Sequence, residues 1–361
     1  MQIVNYPTQY ELEEVLTSIT NRAFLNQFAQ SHGIFITHVS HEQLASEISH
    51  LFLDDEDLES IRREAYQIRS NHALSGFVVK SEDKNFDLTN VYQWILTDGE
   101  HKQTQTLSGL TKVSGEDGLY KSTLEYNKKR AGRVQFLQDE VNSFDFYIKK
   151  LSDGEWQVEI DSNRSTDIKE LQSLLYQGLN KEDTIVELEQ KLLTPETSIT
   201  FFDSLAKSGM DDNWRFLDIK HLTLKMGNDH DEAETEEIKE HIEEVRVEEL
   251  TGITQAILQG QNLRENSFVK QSVASGYRFN AMTYEFENIN EPVVIQVKAE
   301  FKGRPKVFEV SITSYQNNTG TAGVRVASSS KDGEKQLRSG FWNRSKEVFN
   351  KLVIGARSRS N

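Results

Sequence analysis

Apolar residues in the first 75 positions recur every three or four residues, which is the spacing of one face of a helix. Leu44 and Ile48 share such a face behind Ser40, and Gln43 lies three positions after that serine. Serine followed by glutamine at this spacing is a capping box, which begins helices. The segments before and after this one show the same periodicity. We therefore predict a helical N-terminal region, residues 1–75.

The next stretch, residues 76–228, mixes two periodicities. The runs FDFYIKKL and WQVEI flank Asp153 and Gly154, a pair that suits the tight turn of a β-hairpin. The short apolar runs SGFVV and NVYQWIL predict two further strands. A mixed α+β domain is the interpretation of this region.

Two helices are predicted inside that mixed region. The first starts at Ser165 or Thr166 and ends near Gly178, because glycine favours the end of a helix. The second is predicted over Asp183–Leu193. It ends at Thr194 because Pro195 follows, and a residue that precedes proline disfavours the helical conformation.

The segment from 229 to 266 is dominated by acids. The stretch 229–249 reads DHDEAETEEIKEHIEEVRVEE, and we predict one long helix from Asp229 to Gly260. Ile253 and Ile257 lie on its narrow apolar seam. Such a polar helix predicts a solvated face or a docking surface for a protein partner.

The last part, residues 267–361, is the richest in strand patterns. Met282, Tyr284 and Phe286 alternate with polar residues, and the two runs that follow do the same. A closing helix is predicted from Glu334 to Val353. The fold class is therefore α+β: a helical N-terminal region, a mixed middle region and a C-terminal antiparallel β-meander with a closing helix.

Composition adds a charge asymmetry to this outline. The chain has 361 residues and a formal net charge of −16, and its length predicts about two or three domains. From Lys270 onward there are about 15 lysines and arginines against about 8 acids, so this end carries about +7. Nucleic-acid contact needs local positive potential, and this is the part of the chain that can supply it.

Several classes of function are excluded by what the sequence lacks. It has no cysteine, which excludes disulfides, thiolate nucleophiles and cysteine-ligated metals and fits a cytoplasmic location. Phosphate-loop, dinucleotide-binding, serine-hydrolase and zinc-peptidase motifs are absent. No membrane segment or signal peptide is predicted. His38 and His41 have the spacing of a His-x-x-His pair, but His38 is in a strand pattern and His41 opens a helix, so a shared face is not implied. The acidic run at 54–57 lacks the alternating ligands of an EF-hand, and we predict no metal site and no cofactor.

One pair of residues has the spacing of a nuclease motif. Gln296 and Lys298 are two positions apart on a predicted strand and so project from the same face. With the order helix, strands, helix, residues 279–353 resemble a restriction-endonuclease-type core of the Mrr kind, in which glutamine replaces an acid. The resemblance implies metal-dependent phosphodiester cleavage with Mg²⁺ or Mn²⁺, in which Glu285 or Glu287 supplies the upstream carboxylate.

The basic residues of the C-terminal region form a second candidate site. They cluster near one hairpin end and on one face of the closing helix: Lys298, Lys302, Arg304, Lys306, Lys331, Lys335, Arg338 and Arg344. DNA or RNA phosphates would be attracted to such a surface, and so would an acidic protein partner. Trp342 lies beside the apolar stripe of that helix and is expected to pack in the core.

The leading hypothesis is a cytoplasmic binding or adaptor protein. Its C-terminal region, 267–361, would contact nucleic acid or an acidic protein, and the segment 229–249 would contact another protein. Catalysis is not required. The alternatives are a metal-dependent nuclease in a defence context, using Glu285, Gln296 and Lys298, and a structural subunit of a larger assembly.

Overall fold

A computed structural model gives the fold. It describes residues 6–18, 20, 22–35, 39–66, 73–99, 105–115, 118–129, 139–162, 164–226, 255–261, 263–302, 306–317 and 331–357. The chain divides into two compact units. The first comprises residues 1–70, 101–107 and 124–143, and the second comprises residues 71–100, 108–123 and 144–361.

The described residues contain nine α-helices and twelve β-strands. The helices are α1 (Gln9–Ser18), α2 (Arg22–Ser31), α3 (His41–Ser49), α4 (Asp55–Tyr66), α5 (Leu88–Asp98), α6 (Ser165–Gly178), α7 (Pro195–Ser208), α8 (Ser267–Ala274) and α9 (Lys331–Arg357). The strands are β1 (Ala73–Lys80), β2 (Gln105–Leu107), β3 (Thr111–Lys112), β4 (Leu119–Lys129), β5 (Asp139–Ser152), β6 (Glu155–Ser162), β7 (Thr184–Val186), β8 (Trp214–Met226), β9 (Gln255–Gln259), β10 (Tyr277–Asn288), β11 (Val293–Lys302) and β12 (Val307–Asn317).

The first unit contains the predicted N-terminal helices. Ser40 caps α3 by accepting a hydrogen bond from the Gln43 backbone N–H, and the Gln43 side chain bonds back to Ser40. This capping box is the one predicted from the sequence. The apolar faces of α1 to α4 form one core around Val15, Leu44 and Ile61. The helical character of the N-terminal region is thereby confirmed.

The second unit contains a large antiparallel sheet. Its strands lie in the order β5, β6, β1, β12, β11, β10, β8, β9, and β7 also pairs with β1. The hairpin of β5 and β6 turns at Asp153 and Gly154 as predicted. Gly154 adopts a φ of 75°, which glycine reaches without steric cost. The predicted meander is β10, β11 and β12, and α9 is the predicted closing helix, so the α+β fold class is confirmed.

One face of this sheet is covered by α7 and α9. Buried aromatic residues of the two helices, Phe201, Phe341 and Trp342, pack on the apolar side chains of β10, β11 and β12. Each fully buried aromatic side chain contributes about 1.5–3 kcal/mol to folding. We call this side of the sheet the helix face. The predicted packing of Trp342 in the core is confirmed, because its side chain is fully buried.

Three sequence predictions of local structure are wrong. The run NVYQWIL lies in α5 and not in a strand, because Asp87 caps a helix that buries Leu88, Tyr92 and Ile95 on one face. The spacing of four and then three positions between these buried residues is helical. The run is also dense in residue types that favour strands, which is why its composition predicts a strand.

The second error concerns Pro195. The residues predicted as a helix over Asp183–Leu193 contain β7 and a 3₁₀ turn, Gln190–Leu192. Helix α7 starts at the position where the sequence predicts that a helix ends. Thr194 is the N-cap of α7 and Pro195 is its first residue, where a missing N–H costs nothing.

The third error is at the end of the predicted acidic helix. Residues 255–259 form β9, which pairs antiparallel with β8, and Ile257 is exposed on it. A short run such as QAILQ satisfies both periodicities, so its pairing partner decides. Residues 227–254, with the acidic stretch 229–249, lie outside the described residues. The predicted division into four regions stays a prediction, although β8 and β10, on either side of the boundary at 228, pair with each other.

No helix in the described ranges has both the length and the apolar character that crossing a membrane requires.

Candidate functional site: a lysine-lined pocket

The sheet of the second unit has a polar side opposite the helix face. Along β11, Val297 and Ala299 are buried in the core, whereas Gln296, Lys298 and Glu300 alternate with them and are half-buried. Because successive side chains of a strand point to opposite faces, these polar side chains lie on the side away from α7 and α9. We call this side of β8 to β12 the pocket face.

A pocket of about 250 Å³ lies on the pocket face. Four lysines line it: Lys225 of β8, Lys298 and Lys302 of β11, and Lys306 just before β12. Gln255 and Ile257 of β9 and Asn280 and Ala281 of β10 also line it. Lysine side chains from β8, from β11 and from the turn before β12 thus line one small volume.

Two carboxylates accompany the lysines. Lys298 Nζ lies 2.6 Å from Glu300 Oε2, and Lys302 Nζ lies 3.5 Å from Glu309 Oε2. Glu309 is 3% exposed, and burial raises the pKa of its carboxyl above the usual value. Of the described residues that line the pocket, four are lysines and one, Glu300, is an acid.

The wall formed by β10 is held by buried hydrogen bonds. Asn280 Nδ2 donates to the Phe301 carbonyl at 3.1 Å, and Gln190 Nε2 donates to Asn280 Oδ1 at 3.3 Å. Asn280 is 6% exposed and therefore depends on these partners for its polar atoms. Paired strands carry Lys225, Lys298 and Lys302, whereas Lys306 lies in the turn before β12.

The proposed nuclease residues lie on the same face. Glu285 and Gln296 are directly paired between β10 and β11, and Gln296 Nε2 donates to Glu285 Oε1 at 3.2 Å. Lys220 Nζ lies 2.8 Å from the other oxygen of Glu285, and this hydrogen bond raises the pKa of the lysine. Lys298 is paired opposite Thr283 and contacts Glu300.

The structure thus brings Glu285 and Gln296 into contact, while Lys298 contacts a different carboxylate. Glu287, the other candidate acid, forms an ion pair with Arg215. Within the ranges that the structure describes, no three or more histidine, aspartate and glutamate side chains converge as a metal site would require. Metal-dependent cleavage by these residues stays a prediction.

The predicted basic surface is divided between the two faces of the sheet. The pocket is lined by Lys298, Lys302 and Lys306. Helix α9 packs on the helix face, so the basic residues of α9 are on the opposite side of the sheet from the pocket. Arg338 is 3% exposed, with its guanidinium 3.1 Å from Asp161 Oδ1 of β6. The expectation that Arg338 contributes to an open basic surface is therefore wrong, because the packing of α9 on β6 buries it.

The other predicted basic residues have different surroundings. Lys335 Nζ lies 3.0 Å from the centre of the Tyr147 ring, a cation–π contact with β5. Lys331 is the first residue of α9, and Arg344 is half-buried on that helix. Arg304 lies outside the described residues. The predicted basic residues thus have different surroundings: Lys298, Lys302 and Lys306 line the pocket, whereas Lys335 and Arg338 contact β5 and β6.

The contact of α9 with β6 is a row of polar pairs. Arg338 contacts Asp161, Ser339 and Asn343 donate to Glu159, and Lys346 donates to Gln157. Glu159 and Gln157 are buried, and burial lowers the pKa of Lys346. Because buried polar groups need partners, these pairs hold α9 in one register along the sheet.

Lys225 is the pocket residue that the sequence analysis missed. Leu222 and Leu224 alternate with polar residues, and both are fully buried, so the alternation by itself assigns Lys225 to the solvent side of β8. What the sequence does not show is that β8 pairs with β10, which places Lys225 beside the lysines of β11.

Comparisons with known proteins do not assign this site. No family model and no curated protein matches the chain. Several solved structures match with low similarity, among them the following two. DynU16, from the dynemicin biosynthetic locus, is 12% identical over 78% of this chain and 98% of its own, with a TM-score of 0.20. The di-domain ARO/CYC StfQ, from the steffimycin biosynthetic pathway, is 9% identical over 79% and 99%, with a TM-score of 0.17.

Proposed function

We propose that this protein is a binding protein whose C-terminal region engages the phosphates of nucleic acid through the lysine-lined pocket. The observation that carries the proposal is the convergence of Lys225, Lys298, Lys302 and Lys306 on one volume of about 250 Å³. Like charges held this close repel one another, and an anionic ligand offsets that repulsion. A cytoplasmic location and a protein contact through 229–249 belong to the same proposal.

The direct test is fluorescence polarisation with labelled single-stranded DNA, single-stranded RNA and duplex DNA on the full chain, across a salt series. We expect binding at low salt that weakens steeply as salt rises, because lysine–phosphate contacts release counterions. The double variant Lys225→Gln/Lys298→Gln should lose about tenfold or more in affinity and show a shallower salt slope.

Lys351→Gln is the matched control. Lys351 is an exposed lysine on α9, away from the pocket, so its loss removes the same charge from the chain and should leave affinity unchanged. If no nucleic acid binds at low salt, or if the control and the double variant weaken binding equally, the proposal is wrong. Binding of poly-glutamate without binding of any oligonucleotide would favour an acidic protein partner.

A nuclease is the second candidate, supported by the contact between Gln296 and Glu285. It predicts cleavage of DNA or RNA with Mg²⁺ or Mn²⁺ that is lost in Glu285→Gln and in Lys298→Gln. Absence of cleavage with either ion, under conditions in which the oligonucleotide is bound, would rule against this candidate and with it against a defence role based on cleavage. Cleavage that survives Lys298→Gln would remove Lys298 from the mechanism.

A further inference from the structure

The size of the pocket restricts the part of a nucleic acid that it fits. Its volume of about 250 Å³ is below the roughly 300–1,000 Å³ of pockets for drug-sized ligands. A strand bound along its length needs a row of cations that follows successive phosphates. Here Lys225, Lys298, Lys302 and Lys306 are concentrated in one place, which matches one compact anion better than an extended backbone.

The type of cation in the pocket lining also favours one compact anion over an extended backbone. The described lining contains lysines and no arginine. Lysine is a compact point charge, whereas arginine is a fork that binds two oxygens in one plane. Lysines of β8, of β11 and of the turn before β12 line the same pocket, so more than one of them can contact the three terminal oxygens of a phosphate monoester. An internal phosphodiester exposes two such oxygens and carries one charge, whereas a monoester carries about −1.5 to −2 at pH 7.

Because of Glu300, the difference in charge between a phosphate monoester and a phosphodiester decides which of them binds. Its carboxylate lies 2.6 Å from Lys298 Nζ within the pocket lining, so a ligand competes with it for that lysine. A singly charged diester offers Lys298 no more charge than the carboxylate already does. A doubly charged monoester attracts the lysine more strongly and can displace Glu300 from it.

Resting on the proposed function, we infer that the pocket binds the terminal phosphate of a nucleic-acid strand, a phosphate monoester, in preference to internal phosphodiesters. The ligand class is thus an oligonucleotide with a phosphorylated 5′ or 3′ end.

The test uses three labelled oligonucleotides of one sequence on the full chain: one with a 5′-phosphate, one with a 3′-phosphate and one with hydroxyls at both ends. We expect at least one phosphorylated form to bind about tenfold more tightly than the hydroxyl form at pH 7.5. The preference should disappear in Lys225→Gln/Lys298→Gln and persist in Lys351→Gln. It should also shrink at pH 5, since the second pKa of a phosphate monoester is about 6.

The outcomes separate this inference from the proposed function. Equal affinity for all three forms, still dependent on Lys225 and Lys298, overturns the terminal phosphate and leaves nucleic-acid binding in place. No binding of any form overturns both. Inorganic phosphate distinguishes the source of the monoester: displacement only far above the oligonucleotide concentration supports a strand end, and displacement at equal concentration overturns it in favour of a small phosphate ester.

The variant Glu300→Gln is a further test, in which affinity should rise and not fall. Removing the competing carboxylate frees Lys298, so affinity should rise for all three oligonucleotides, and it should rise more for the hydroxyl form. The ratio of the affinities for the phosphorylated and hydroxyl forms should therefore fall. If Glu300 has only a structural role, this ratio stays unchanged. A ratio that stays at the wild-type value would overturn the assigned competition.

Discussion

The helix face and the pocket face of the same sheet use basic residues in opposite ways. On the helix face, Arg338 is buried, and it pairs with a partner fixed on β6. On the pocket face, Lys298 and Lys302 keep 34% and 48% of their side chains exposed while touching Glu300 and Glu309. Basic side chains are therefore buried in the packing on one side and remain accessible to a ligand on the other.

Burial accounts for this difference. A buried cation has lost its hydration and depends on its protein partner, so the pair is fixed by the fold. An exposed pair contributes about 0–1 kcal/mol because water and salt screen it, and a ligand can replace one partner at little cost. Substitutions on the helix face should change stability, and substitutions on the pocket face should change binding.

The largest expected effect is from Arg338→Met. It leaves Asp161 without the guanidinium that compensates it, and breaking a buried pair costs about 3 kcal/mol. Urea unfolding followed by tryptophan fluorescence should show this loss in the free energy of unfolding. Lys351→Met, an exposed position on the same helix, is the control and should change it by less than about 0.5 kcal/mol. Equal effects of the two would show that α9 does not depend on this pair.

The next largest expected effect is the loss of stability in Gly76→Ala. Gly76 lies on β1 under α9, where an added Cβ would overlap the Val158 carbonyl oxygen and approach Trp342 to 3.1 Å. Overpacking of this kind costs about 2 kcal/mol. The matched control is Gly109→Ala, where a Cβ would meet nothing within 4 Å. A loss of stability with unchanged oligonucleotide affinity would sharpen the contrast between the faces, whereas a loss of affinity alone would contradict it.

A gain in stability is expected from Glu309→Gln. Burial raises the pKa of Glu309, so the folded state binds a proton more tightly than the unfolded state does. The carboxyl therefore destabilises the fold as pH rises through that raised pKa, and has no such effect well below the usual carboxyl pKa. We expect the variant to gain about 1 kcal/mol at pH 8 and less at pH 5.

Unfolding in urea at both pH values measures this, with the exposed Glu347→Gln on α9 as the control. A gain for Glu309→Gln that is the same at pH 5 and pH 8 would contradict the assignment of the effect to ionisation of Glu309.

The smallest effect is expected from Lys298→Gln on stability. Its contact with Glu300 is partly exposed, so the free energy of unfolding should change by less than about 0.5 kcal/mol, although affinity for oligonucleotides falls. A thermal melt and a polarisation titration on the same sample separate the two quantities. A large drop in melting temperature would mean that Lys298 is a structural residue and would place it with Arg338.

Much of the fold was predictable because local patterns encode it. The capping box at Ser40, the hairpin turn at Gly154 and the alternation along β10 and β11 each depend on neighbours within a few residues. The errors at α5 and β9 occurred where a short run satisfied both periodicities, so tertiary partners decided the outcome. Pro195 was assigned to the wrong side of a boundary because proline is compatible with both the stop and the start of a helix.

The candidate site was predictable in part. Lys298, Lys302 and Lys306 are close in sequence, so their clustering could be read from the chain. The burial of Arg338 could not, because it results from a pairing with Asp161, 177 positions away. Lys225 joins the pocket through the pairing of β8 with β10, in which Lys225 lies opposite Arg278, 53 positions away.

The sequence by itself determined the elements with clear periodicity, the absence of cysteine chemistry and the positive charge of the C-terminal region. Only the tertiary structure decided which cations are available to a ligand. Charge is a property of each residue and is counted along the chain, whereas accessibility depends on which helix covers which face of the sheet. That covering is set by long-range packing of apolar side chains, and it directs Arg338 inward to Asp161 while leaving Lys298 at the pocket.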